Sequence, residues 1–125
     1  MSLKPGLAAR AVLEVGPDDT ALALRSGEVP VLATPRLIGL CEEASLAAVA
    51  DHVPQGCTTV GTSVQVNHLA PTAVGHGVTA EATLEKVEGR RLTFTVSAKD
   101  DRGLIAAGKV TRVVVDIDRF LEKSR

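Results

Sequence analysis

The stretch Thr34-Pro-Arg-Leu-Ile-Gly-Leu-Cys-Glu-Glu-Ala-Ser-Leu-Ala-Ala-Val-Ala-Asp51 decides the layout of this chain. It opens with a hydroxyl residue suited to an N-cap and a proline suited to the first helical turn. Leu37, Ile38, Cys41, Ala44, Ser45 and Ala48 then recur at helical spacing and form a stripe of apolar and small residues. Pro54 follows, so the helix is expected to end near Asp51 and His52. No other long helical pattern is present.

Downstream the period changes from helical to two. Residues 58–69 alternate, with Thr62, Val64, Val66 and His68 on one face and Ser63, Gln65 and Asn67 on the other. Residues 76–87 line up Val78, Ala80, Ala82 and Leu84. Residues 90–99 line up Leu92, Phe94, Val96 and Ala98. Residues 104–117 make a last long strand, with Gly108 read as a bulge. Glu88-Gly89 is a hairpin signal, and Asp100-Asp101-Arg102-Gly103 turns the chain again. Upstream, residues 8–15 read as a first strand, Gly16 to Asp19 as a turn, and residues 20–25 as a short second strand. Residues 1–7 and 119–125 are expected to fray, the tail being at most briefly helical. The sum is an α+β layout: one long helix across a curved antiparallel sheet of about five strands. Long strands with free edges also suggest that two such sheets pair in a dimer.

A length of 125 residues fits one domain, 1–125. Apolar residues make up 45% but aromatics only 2%, so Val, Leu, Ile and Ala must build the core. The net charge is -1 with both signs mixed along the chain. No basic face interleaved with aromatics is present, which argues against a nucleic-acid partner. No apolar run reaches the length of a membrane span, and the N-terminus lacks the apolar core of a signal peptide. Cys41 and Cys57 match no zinc spacing and are too few for a disulfide scaffold, so two reduced thiols are expected. The expected setting is cytoplasmic, with no membrane partner, no metal and no cofactor.

Candidate chemistry gathers around the second strand. His68 stands at a strand end before Leu69-Ala70-Pro71, where a cleft can reach it. Glu42 borders the helix stripe, where burial would suit it to base work. Glu43 competes with it, one residue of rotation away. Thr34 is either an N-cap or a site hydroxyl. Eight residues of helix rise about 12 Å, so Thr34 and Glu42 cannot hydrogen-bond within one regular helix. Either the helix starts well after Thr34, or the two groups act from different subunits. Gly61 is a place for close approach to a ligand or for a bulge. Arg112 alternates with Val110 and Val114 and so points toward their apolar face, where it needs a carboxylate or an anionic ligand. Arg90 and Arg91 beside the hairpin are read as solvated arginines. His52 and His76 fall in loops and are read as surface residues.

The order and spacing of Ala33-Thr34, Gly39-Leu40-Cys41-Glu42, Gly61-Thr62, Val66-Asn67-His68, Val87 to Leu92 and Arg112 resemble the fluoroacetyl-CoA thioesterase-like family of the hotdog fold, from about Val31 to Phe120. The resemblance implies a homodimer, or a tetramer built from it, that binds acyl-CoA at the subunit interface. CoA is then part of the substrate rather than a cofactor. The resemblance also implies hydrolysis of a small acyl-CoA thioester by Thr34, Glu42 and His68, with Gly61 and Arg112 in the binding site. The family's gating phenylalanine has no counterpart in Glu28-Val29-Pro30-Val31-Leu32, so the resemblance does not extend to fluoroacetyl selectivity. Two other readings share the fold: an acyl-CoA binding module without catalysis, and, ranked lower, an enoyl-CoA hydratase.

Overall fold

The computed structural model describes residues 2–125. Five strands, β1 (Ala8–Glu14), β2 (Cys57–His68), β3 (Gly77–Glu88), β4 (Arg91–Asp100) and β5 (Gly103–Asp116), form one antiparallel sheet in the order β1-β3-β4-β5-β2. The long helix α2 (Thr34–Val49) crosses its inner face. Two short helices complete the chain: α1 (Ala21–Leu24) before the crossing and α3 (Ile117–Lys123) after β5. The expected α+β architecture is therefore present.

The core follows from the two periodicities. Leu37, Leu40, Cys41, Ala44, Ser45, Ala48 and Val49 of α2 are buried. They meet the inward residues of β3 and β4, where Val78, Ala80, Ala82, Leu84, Leu92, Phe94, Val96 and Ala98 are buried. The small residues of β3 let the helix lie close, and the larger ones fill the flanks. Each fully buried Leu or Val contributes about 1.5–3 kcal/mol. The helix packs mainly on β1 and β3 and touches β2 and β5 far less. The β2 side of the inner face is left partly open. The two edges of the sheet are β1 and β2, and β2 carries no Lys, Arg, Asp or Glu along its length.

Four local expectations are corrected. Residues 20–25 do not form a strand: Ala21–Leu24 is a helix capped by Thr20, whose Oγ1 accepts from the Ala23 amide at 3.2 Å. The alternation Ala-Leu-Ala-Leu has period two, but these residues are strong helix formers placed behind a good N-cap. Thr34 is not the N-cap of α2. Ala33 takes that place without a side-chain bond, and Thr34 is the first helical residue. Gly108 is not a bulge. It pairs in register with Val66 and with Val96, and the irregularity between β4 and β5 lies at Ala98/Lys99. Thr62 does not sit in phase with Val64, because the register of β2 shifts between Gly61 and Ser63. The tail is helical in α3, where the Asp116 side chain accepts from the Arg119 amide at 3.1 Å.

Gly108 is instead a point of close approach. A Cβ there would run into the Gln65 carbonyl oxygen and lie 2.7 Å from the Val66 Cα, both backbone atoms. Backbone cannot swing aside as a side chain can. Gly108→Ala should therefore destabilise the protein by about 2 kcal/mol or more, seen as a lowered urea midpoint. Gly77→Ala, where nothing lies within 4 Å of the added Cβ, should shift that midpoint far less.

Candidate active site

The first turn of α2 and the last residue of β2 meet at one end of the open inner face. Thr34 Oγ1 and His68 Nδ1 lie 2.8 Å apart. Because Ala33 caps the helix, the Thr34 hydroxyl is free for this contact. The His68 ring is partly buried, and its Nε2 has no hydrogen-bond partner among the described residues. Burial holds the imidazole below its ordinary value, with the Ala70 backbone pulling the other way. With the ring neutral and Thr34 donating to Nδ1, the single ring proton sits on Nε2. A buried polar atom left without a partner is costly unless something else occupies the site. Thr34 and His68 both line a cleft of about 330 Å³ that Ala21, Val29, Leu69 and Pro71 also border. That volume suits a small-molecule site.

A second cluster lies two turns further along α2. Glu42 Oε2 is 3.3 Å from Arg112 Nη1. The Arg112 side chain is only 7% exposed, whereas that of Glu42 is 36% exposed. The guanidinium is oriented by Thr59, donating from Nε to the hydroxyl and from Nη2 to the carbonyl, both at 2.9 Å. Burial lowers the Arg112 pKa and Glu42 raises it again. Gly61 closes the group: a Cβ there would collide with the Glu42 carboxylate and lie 3.5 Å from Arg112 Nη1. The missing side chain at position 61 is what lets the Glu42 carboxylate reach the sheet. Glu43 turns outward and pairs with Arg36 at 3.2 Å, so the helix rotation selects Glu42.

The five expected site residues thus fall into two groups. Thr34 meets His68, and Glu42 meets Gly61 and Arg112. Within one protomer the groups do not meet, because α2 is regular from Thr34 onward and separates its two contributions by about 12 Å. His52 lies outside both, within 3.2 Å of the Ser2 hydroxyl, and so does His76, 3.4 Å from Asp101. Thr59 was not foreseen from the sequence. Its signal was hidden by the bulge at Thr62, which reverses the phase of β2 between Thr59 and Val64.

His68 gives a direct check of this environment. In a ¹H–¹⁵N NMR titration its imidazole should titrate below 6.5. The folded protein then binds this proton less tightly than the unfolded chain does. The stability contribution of His68 is present above about 6.5, falls as the pH drops below it, and levels off below the folded-state value. A value at or above 6.5 would contradict the burial described.

The chain matches the model of the family described as fluoroacetyl-CoA-specific thioesterase over residues 15–118. It is 40% identical over 95 residues to the fluoroacetyl-CoA thioesterase of Streptantibioticus cattleyicolor, which covers 76% of this chain and 68% of that protein. A variant of the fluoroacetyl-CoA enzyme solved in complex with acetyl-CoA superposes with a TM-score of 0.93. The complex is 32% identical and covers 98% of this chain and 97% of that one. A hot-dog-like protein from Thermanaerovibrio acidaminovorans superposes with a TM-score of 0.89 at 28% identity, over 98% of this chain and 90% of that one. The fold is the hotdog fold, and the chain belongs to the fluoroacetyl-CoA-specific thioesterase family.

Proposed function

We propose that this protein hydrolyses a small acyl-CoA thioester to the free acid and CoA, at a site that two subunits complete together. The observation that carries the reading is the 2.8 Å contact between Thr34 and His68 at the wall of the cleft. Thioester hydrolysis needs an activated nucleophile, polarisation of the carbonyl and a proton for the departing thiolate. Thr34 holds the imidazole at the cleft wall, within reach of the thioester. Glu42 takes a proton from the water that attacks the carbonyl; alternatively its carboxylate attacks the carbonyl, the thiolate leaves, and water then hydrolyses the resulting Glu42–acyl anhydride to the free acid. The carbon–sulfur bond breaks, His68 donates a hydrogen bond to the departing sulfur, and the CoA thiolate takes up the proton that Glu42 removed from the water, which returns Glu42 to its carboxylate form. Arg112 and Thr59 hold Glu42 in place.

The free edge of β2 supports the sharing of the site. A two-fold axis passing between Val64 and Gln65 would pair β2 with the partner's β2, antiparallel. Adjacent strands lie about 5 Å apart. Such an axis brings His68 of each chain beside the partner's Gly61, and with it the partner's Glu42. The 12 Å separation along α2 then ceases to be an obstacle, and each dimer carries two complete sites. An uncharged edge of 12 residues is otherwise a liability for a protein that stays unpaired.

The cleft lining indicates the acyl group. Ala21, Val29, Leu69 and Pro71 offer aliphatic surface and no cation to hold a second carboxylate. No aromatic ring stands at the rim, so short uncharged acyl groups fit, and discrimination between acetyl and fluoroacetyl should be weak.

The test is thiol release from acetyl-, fluoroacetyl-, propionyl- and butyryl-CoA. His68→Ala and Glu42→Gln should each lower kcat by about 10²–10⁴-fold; Glu42→Gln should also lower stability, because the buried Arg112 loses its counter-charge. Tight binding without release from any thioester would leave a binding module and sink the enzyme reading. Release unaffected by both substitutions would keep the enzyme and discard this site.

A further inference from the structure

α2 begins without help from its own residues. Ala33 at the cap has no side-chain oxygen to offer, and the first turn carries no acidic residue. The orphan N–H groups and the positive end of a helix are ordinarily met by such groups. Thr34 stands one place inside the helix, and its hydroxyl is engaged with His68. What fixes the first turn therefore also fixes Thr34 against the imidazole, and it must come from outside the helix.

Asp19 supplies it. Its Oδ1 accepts from Arg36 Nε at 3.1 Å, and its backbone carbonyl accepts from the Ala33 amide at 2.9 Å. One residue thus grips α2 both at the cap and in the first turn, and sets a negative charge at the positive end of the helix. Asp19 is itself fixed, because it ends the 3₁₀ turn Pro17–Asp19. Its Oδ2 accepts from the Gly16 amide at 2.8 Å, and its own amide donates to the Gly16 carbonyl at 3.0 Å. The side chains of Asp19 and Arg36 are only 20% and 30% exposed, so water screens this pair less than Arg10–Glu81 on the sheet.

The other parts of the site do not lean on Asp19. The loop between Asp19 and Ala33 lends Ala21 and Val29 to the cleft wall, but bonds of its own close it. The Ala21 amide donates to the Val31 carbonyl at 2.9 Å, and the Leu32 amide to the Thr72 carbonyl at 2.8 Å. Glu42, two turns along α2, is held by Arg112, and Arg112 by Thr59. Loss of the Asp19 carboxylate should therefore loosen the first turn of α2 and spare the rest.

We infer that Asp19 is a positioning residue for the thioesterase site: through Arg36 and Ala33 it fixes the start of α2 and so keeps the Thr34 hydroxyl on His68. This rests on the thioesterase reading for its kinetics, but not for the contact itself. The contact is read by ¹⁵N NMR of the His68 ring nitrogens with the imidazole neutral. In Asp19→Ala these signals should move toward their positions in Thr34→Val, because both substitutions take the hydroxyl off the ring. Arg36→Gln removes the ion pair, leaves the Gly16 turn intact, and should move them the same way; it decides the matter where Asp19→Ala does not fold. Glu43→Gln removes the other partner of Arg36 and should leave them in place. Signals unmoved in both Asp19→Ala and Arg36→Gln would overturn the inference.

In turnover, Asp19→Ala should lower kcat by about ten- to a hundredfold, the scale of a small misplacement of a reacting group. KM should hold. Added to Thr34→Val, the same substitution should lower kcat no further, because the two act through one contact. Losses that multiply in the double variant, or a raised KM with kcat unchanged, would overturn the inference as well. Absence of turnover with every thioester would sink the enzyme reading, and the His68 signals would still decide whether Asp19 holds Thr34 in place.

Discussion

Gly61 and His68 are seven positions apart on β2, an odd spacing that would turn them to opposite faces of an unbroken strand. Both nevertheless face the helix, because Thr62 is an extra residue that the register with β5 skips. Before it, Thr59 and Gly61 pair with Val114 and Arg112; after it, Val64, Val66 and His68 pair with Val110, Gly108 and Ala106. The inward residues of β5 keep an even count throughout, and only β2 changes phase. The bulge is stitched by the Thr62 hydroxyl, which donates to the Thr111 carbonyl at 3.3 Å. Bulges of this kind often re-aim side chains at functional sites. Here one inserted residue places both ends of β2 on the inner face.

The rest of the site is arranged around that constraint. Pro35 and the Ala33 cap start α2 where Thr34 can reach His68, and helical rotation brings Glu42, not Glu43, over the sheet. Gly61 leaves room for the Glu42 carboxylate, and Thr59 fixes the guanidinium that meets it. Packing on β1 and β3 draws the helix away from β2 and opens the cleft. β2 is also an uncharged edge of the sheet, so a surface available for pairing and the open cleft lie side by side.

Much of this was legible in the chain itself. The helix was written in the 3.6-residue spacing of Leu37, Cys41, Ala44 and Ala48. The three later strands were written in the alternation around Phe94 and Ala80. Arg112 stood out because an arginine between Val110 and Val114 needs a partner, and Glu42 supplies it. What the chain concealed was phase and competition between equal signals. Alternation in 58–69 looks continuous because Thr62 is as acceptable in a strand as its neighbours, so the bulge leaves no mark in composition. Thr34-Pro35 signals a helix start strongly, yet it cannot say whether Thr34 or Ala33 occupies the cap. Ala21 to Leu24 alternates by size while favouring helix by propensity, and only Thr20 settled the matter. The pairing of Thr34 with His68 joins residues 34 positions apart, and no local pattern carries such a contact.

The central claim is that Thr34 and His68 of one chain work with the partner's Glu42. Subunit complementation tests it most directly. His68→Ala and Glu42→Gln proteins, each inactive alone, are mixed, dissociated and reassembled. A shared site predicts that mixed dimers regain activity, because one of their two sites draws both intact groups from different chains. Statistical reassembly then restores about one quarter of the parental activity, half of the dimers being mixed with one good site each. If each chain carries its own complete site, every site in the mixture lacks one group and no activity returns; that result would contradict the account.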